Sequence, residues 1–182
     1  MGHSNRPLPE FLELLEAHGV GLLVDVRTMP RSRYNPQFNR EALAEALAAS
    51  GIAYEHMPGL GGLRHPRKDS INTAWRNDSF RGYADYMQTG EFARNLDRLC
   101  ALEASWHMRT AGKTRVAIMC AEAVPWRCHR SLIADALSAR GVPVAHIMNV
   151  SKAEPHKLTS FARVTGAAVT YPAATGDLFE EP

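Results

Sequence analysis

Apolar and polar residues alternate in blocks whose spacing changes along the chain, and each change marks an element. Residues 7–18 carry Phe11, Leu12, Leu14 and Leu15 on one side of a helix, with Pro7 or Pro9 suited to the first turn and Gly19 as its stop. Leu22 to Arg27 (LLVDVR) then reads as a buried strand that ends abruptly. The proline-containing loop TMPRSRYNPQF follows, Asn39 stands where a helix cap belongs, and REALAEALAAS predicts a helix closed by Gly51. Ile52 to Met57 predicts a short strand. PGLGG breaks the backbone, and a polar loop reaches about Asp78, a length that usually signals function. Helical spacing returns over 79–88 and 90–105. Val116 to Met119 is apolar at consecutive positions, as in a strand covered on both faces, and the strand is expected over 116–120. The loop AEAVPWR leads into a helix over 129–140 with Leu132, Ile133, Ala136 and Leu137 on one face. Val142 to Met148 predicts another strand, and a weaker pattern beyond Asn149 suggests a short helix near 155–163 and a strand near 167–171. No internal repeat is visible.

Strands alternating with helices through short turns predict a three-layer α/β/α domain, Rossmann-like, with a mostly parallel sheet. It is expected over residues 1–170, with a flexible tail over 171–182. In open sheets of this kind ligands sit outside the carboxyl ends of the strands. Those ends carry Asp25 and Arg27, then Gly61 and Gly62, then Cys120 to Arg130. A short strand ending at Met1-Gly2 would add His3 and Ser4 to the same rim.

Composition narrows the class. A chain of 182 residues with 45% hydrophobic content suits one globular domain. No apolar run is long enough to cross a membrane, the N-terminus has no signal-peptide pattern, and the three cysteines make no disulfide framework, so a reducing cytoplasm is expected. Cys100, within NLDRLCALEA, reads as a small core residue. The net charge of +2 is unevenly spread. Segments 27–40, 64–81 and 127–130 gather Arg27, Arg31, Arg33, Arg40, Arg64, Arg67, Lys68, Arg76, Arg81, Arg127 and Arg130 against only Asp69 and Asp78. Solvated surface loops are the bland account of such charge; anion recognition is the sharper one.

The junction from Cys120 to Arg130 holds the densest chemistry. Cys120 at a strand end, beside a helix start with Arg127 and Arg130, is a candidate nucleophile. Its spacing to Arg127 is one residue longer than in the phosphatase cradle, and Glu122 opposes a thiolate, so a structural cysteine is the alternative. Cys120, Cys128, His129, His3 and His65 are zinc-type residues, but no Cys-x-x-Cys or His-x-x-x-His pair occurs and Cys128 and His129 are expected to diverge on a helical turn. No metal or other cofactor is therefore expected. Glu122, Asp25 and His129 are acid–base candidates for hydrolysis of a phosphate or glycosidic bond, although Asp25, between two valines, equally suits a structural ion pair. Arg27, Arg31, Arg33, Arg127 and Arg130, with the backbone N–H groups of a helix start, read as phosphate recognition. Tyr34, Phe38, Trp75, Phe80, Tyr83 and Trp126 lie among the same loops, which suits nucleotides or nucleic acid unless these rings are core.

The segments GHSN at 2–5, LLVDVRTMPRSRYNPQFN at 22–39, LGG at 60–62, WRNDSFRGYADYM at 75–87 and CAEAVPWRCHR at 120–130 resemble the domain of unknown function 488 family, over nearly the whole chain. The resemblance implies an α/β fold in three layers and carries no settled function. It also implies a first strand that is short here, because members have a few more residues before the GHS motif.

Two functions fit these expectations. The first is an enzyme acting on a phosphate-containing ligand, a nucleotide or nucleic acid, with Cys120, Glu122 and His129 in its site. The second is a non-catalytic nucleic-acid-binding module that uses the arginine-rich loops. A closed pocket holding the three side chains, with 63–78 as a lid, favours the enzyme; a flat basic groove favours the binder. The tail sequence Thr175-Gly176-Asp177-Leu178-Phe179 weakly resembles peptides that bind the bacterial sliding clamp, though the usual glutamine is missing; packing of Leu178 and Phe179 on their own domain or on a partner subunit is the competing reading.

Overall fold

A computed structural model describes residues 1–173. Its elements are α1 (Leu8–Ala17), β1 (Val20–Asp25), α2 (Arg40–Ala49), β2 (Ala53–His56), α3 (Asp78–Tyr86), α4 (Gly90–Thr110), β3 (Arg115–Met119), α5 (Arg130–Ala139), β4 (Ala145–Asn149), β5 (Lys152–Pro155), β6 (Arg163–Thr165) and β7 (Ala168–Thr170). Single 3-10 turns occupy Pro36–Phe38, Pro58–Leu60 and Pro125–Arg127. The fold is mixed α/β. Three parallel strands lie in the order β2-β1-β3, and two small antiparallel hairpins, β4-β5 and β6-β7, complete the sheet structure among the described residues.

β1 is central and buried along its whole length, which explains its nearly unbroken apolar sequence. Alternate side chains serve two different cores. Leu22 and Val24 join a cluster with Tyr83 from α3, Phe92, Leu96 and Leu99 from α4, and Leu132 and Ile133 from α5. Leu23 joins a second cluster with Phe11, Leu14 and Leu15 from α1 and Leu43 and Leu47 from α2. Because the strands are parallel, Asp25, His56 and Met119 end at one edge of the sheet. The N-terminus adds to that edge. Gly2 pairs in parallel with Cys120, the Met1 amine donates to the Ile118 carbonyl (2.9 Å), and His3 N–H donates to the Cys120 carbonyl (3.0 Å).

Several sequence expectations need correction. The strand expected over 142–148 does not extend the parallel sheet; β4 pairs with β5, which the sequence reading had not marked. The short helix expected near 155–163 is not formed. Asp135 of α5 holds that segment instead, accepting hydrogen bonds from His156 Nε2 (2.8 Å), Thr159 N–H (3.0 Å) and Thr159 Oγ1 (2.7 Å). Asn39 begins α2 but does not cap it with its side chain, because Asn39 Oδ1 accepts from Ser32 N–H (2.7 Å) to fix the preceding loop. Tyr171, read as the start of the tail, is buried and donates to Asp135 Oδ2 (2.8 Å). The clamp-like segment Thr175–Phe179 lies outside the described residues.

Candidate functional site

The strand ends place His3, Ser4, Arg27, Gly61, Gly62, Cys120, Glu122, His129 and Arg130 in one neighbourhood, linked by direct contacts. Arg27 reaches His3 Nε2 (3.2 Å), Gly61 abuts Thr28, and Arg130 donates to the Glu122 carbonyl. His3, Ser4, Arg27, Arg31, Ser32 and Glu122 line an open cleft of about 460 Å³. A larger, mostly apolar space of about 760 Å³ lies between β3, α4, α5 and β4; its wall includes Arg130 but not Glu122, Arg31 or Arg127. Of the three side chains expected in a closed pocket, only Glu122 lines this open cleft; Cys120, His129 and residues 63–78 are not part of its wall.

The arginines divide into two kinds. Arg27 is buried and committed: Nε and Nη2 grip the Asp25 carboxylate (2.9 and 2.6 Å), and Nη2 also donates to the Phe38 carbonyl (2.8 Å). Asp25 is equally committed, accepting from Tyr54 Oη (2.8 Å) and Arg27 N–H (3.0 Å). The pair therefore sets the geometry of the rim and leaves neither group free for an incoming anion. Burial, and then the charge of Asp25, push the Tyr54 hydroxyl above its ordinary pKa. His3 stacks on Phe38 (4.1 Å between centroids), and burial lowers its pKa to about 4, so the ring is neutral. Arg130 is buried too, with Nε on Cys128 Sγ (3.2 Å). Arg31, Arg33 and Arg127 are exposed, as is Glu122.

The cysteine geometry reverses two expectations. Cys128 is not on a helical turn: its backbone is extended (φ −136°, ψ 141°), and α5 begins only at Arg130. Cys128 and His129 consequently do not diverge. His129 Nδ1 lies 3.8 Å from Cys128 Sγ and 3.9 Å from Cys120 Sγ, and the three atoms all fall within 4.8 Å of one another. The arginine that touches sulfur sits on Cys128, while Arg127 points to solvent. Cys128 is thus the sulfur whose pKa is lowered, first by the hydrogen bond from the Cys120 thiol and then by His129 and Arg130 against the opposing effect of burial. Cys120 is raised, by donating that hydrogen bond and by burial. For Cys120, a candidate nucleophile with a structural cysteine as the alternative, burial and a raised pKa favour the structural alternative.

Two glycines allow this close assembly. A Cβ at Gly62 would lie 2.4 Å from His129 Nδ1, and one at Gly2 would lie 1.7 Å from the Glu122 carbonyl oxygen. The segment after β2 is held down by α3: Tyr83 Oη donates to the Leu60 carbonyl (2.9 Å), Tyr86 Oη to that of Gly59 (2.6 Å), and the Arg64 guanidinium lies 3.5 Å from the Tyr86 ring centroid. The loop that follows is pinned rather than loose. Asp85 accepts from Arg67 N–H (2.8 Å), Ser70 Oγ (2.6 Å) and Asn72 Nδ2 (2.8 Å). Of the aromatics read among the basic loops, Phe38 and Tyr83 are core, and Trp75 stacks on Phe80 (4.7 Å). Tyr34 and Trp126 are 94% and 63% exposed, leaving two free ring faces beside the exposed arginines.

No described helix is long and apolar enough to cross a membrane. Comparison with curated proteins and with solved structures finds no match. Residues 7–137 match the family described as "Domain of unknown function DUF488", a span that includes β1–β3, the pinned loop and the Cys120–Arg130 junction. On that match, the chain belongs to the DUF488 family.

Proposed function

We propose that this protein is an enzyme acting on a phosphate-containing ligand, a nucleotide or nucleic acid, at the carboxyl ends of a parallel sheet in a three-layer, Rossmann-like α/β/α domain, working in the cytoplasm. The observation that carries the reading is the shared cleft. Residues from separate loops, Ser4, Arg31 and Glu122, open into one space whose walls are held by the buried Asp25–Arg27 pair. Arg31, with Arg33 on the same loop and Arg127 on the loop that carries Glu122, supplies fixed positive charge for phosphate oxygens. Glu122, exposed at the cleft, is the carboxylate positioned to take a proton from a water or hydroxyl nucleophile. Asp25, Arg27 and His3 act on the ligand indirectly, by fixing the loop from which Arg31 projects. Support for the three layers comes from separate cores on opposite faces of β1.

A second reading, a nucleic-acid-binding module without catalysis, is favoured by one observation: Tyr34 and Trp126 are exposed, each next in sequence to an exposed arginine, and such rings suit base stacking. The same experiments separate the two. Fluorescence polarisation with short DNA, short RNA and labelled nucleotides at two salt concentrations is expected to show affinity that falls with salt, as counterion release requires. Arg31→Ala and Arg33→Ala should each weaken binding and reduce the salt slope by about 1. Absence of binding to all three probes at low salt removes both readings. Binding that survives Glu122→Gln, with no turnover of any probe by the wild type, selects the module.

A further inference from the structure

We infer that Cys120, Cys128 and His129 form a binding site for a zinc-like divalent cation with one position open. The inference goes beyond the rim reading and stands whether or not the cleft binds phosphate.

The geometry is the first argument. A tetrahedral zinc with bonds of about 2.3 Å to sulfur and about 2.0 Å to nitrogen holds its ligand atoms roughly 3.5–3.8 Å apart. His129 Nδ1 stands 3.8 and 3.9 Å from the two sulfurs, long for direct hydrogen bonds and within a few tenths of an ångström of the N···S edge of about 3.5 Å. Three elements fix the ligands independently. Cys120 follows the last residue of β3 and pairs with Gly2, Cys128 is held extended by the Pro125–Arg127 turn, and His129 immediately precedes α5 at its N-cap position. Preorganisation of this kind lets a metal bind without refolding the site.

The polar accounting is the second argument. His129 Nε2 is buried and has no hydrogen-bond partner among the described residues. With Nδ1 also at long range from both sulfurs, neither nitrogen of this half-buried ring has a close partner. A cation between Nδ1 and the sulfurs gives Nδ1 a strong bond and fixes the ring proton on Nε2, which keeps no protein partner among the described residues. Thiolate and imidazole donors select zinc and similar soft or borderline metals over magnesium or calcium.

The charge balance is the third. Two thiolates neutralise a dication, and the Arg130 guanidinium on Cys128 Sγ (3.2 Å) then leaves an excess of positive charge. An anionic oxygen ligand, hydroxide or an oxyanion, in the fourth position would balance it. Three protein ligands with an open fourth position is the pattern of catalytic rather than structural zinc. Gly62, where a Cβ would stand 2.4 Å from Nδ1, packs its backbone against the ring and leaves no room there for a side chain.

Cobalt(II) titration of the full chain, reduced and stripped of metal by chelation, tests the site. The expected result is a thiolate-to-cobalt charge-transfer absorption that saturates at one equivalent and disappears when zinc is added. Cys120→Ser and Cys128→Ser should each roughly halve that absorption, because each removes one thiolate, and His129→Ala should weaken affinity at least tenfold while keeping charge-transfer absorption. Cys100→Ser should titrate as the wild type does. A second readout guards against misfolded variants: zinc should raise the wild-type melting temperature and leave that of the Cys120→Ser/Cys128→Ser double variant unchanged. Two results overturn the inference: no charge-transfer band in wild type whose three cysteines are shown to be free thiols, or a band unchanged in the double variant.

Discussion

Arg27 and Asp25 show how a residue that reads as a ligand group can instead belong to the frame. Both are buried, and their pairing is supplemented by Tyr54, Phe38 and His3. Removing one partner strands the other, so Asp25→Asn should destabilise the fold by about 3 kcal/mol. Chemical denaturation would measure it, and a loss below about 1 kcal/mol would contradict the assignment. His3, buried, and His146, half-buried, give a pH prediction. Burial first, and then nearby positive charge, lower His3 and His146 to about 4. An unfolded histidine takes up a proton near pH 6.5, whereas these folded rings resist it. Their contribution is therefore fully present above about pH 6.5 and declines as the pH falls toward 4. Melting temperature should drop across that window, and His3→Gln should flatten part of the slope; an unchanged slope would refute the neutral His3. Single residues were the least legible scale in the sequence. That Asp25 suits an ion pair was readable from its place between valines, but the convergence of Cys128 and His129 was not, because it depends on one extended residue where spacing suggested a helix.

At the scale of elements, hydrophobic period located the five long helices and the three parallel strands, because each buries a regular stripe against the sheet. Beyond Asn149 it found β7, expected near 167–171, but missed β5 and β6 for a definable reason. Those two strands are short and largely exposed, so no apolar pattern marks them; polar anchors on Asp135 hold the intervening segment. The loop between β2 and α3 was legible as important but not as fixed. Its order rests on Asp85, which satisfies three donors from a nearly buried position. Asp85→Ala should leave Ser70 and Asn72 without their acceptor, cost about 2–4 kcal/mol, and speed amide exchange selectively over residues 64–73. Faster exchange spread evenly over the protein, or none in this loop, would argue that the loop is held by other means.

For the whole molecule, the parallel order of β2, β1 and β3 is what makes separate motifs into one site, since every loop that leaves a strand end opens on the same edge. Alternation of strands and helices makes that edge readable in the sequence. The sequence did not disclose which arginines remain free, because that depends on burial. The most direct test is residue-by-residue mapping of amide resonances while a dinucleotide is titrated into the protein. The account predicts saturable shifts confined to the segments around residues 3–5, 27–35, 61–64 and 121–130, with α1, α2 and the β6-β7 hairpin unchanged. Shifts centred on those distant elements, or no saturable shift at low salt, would contradict it.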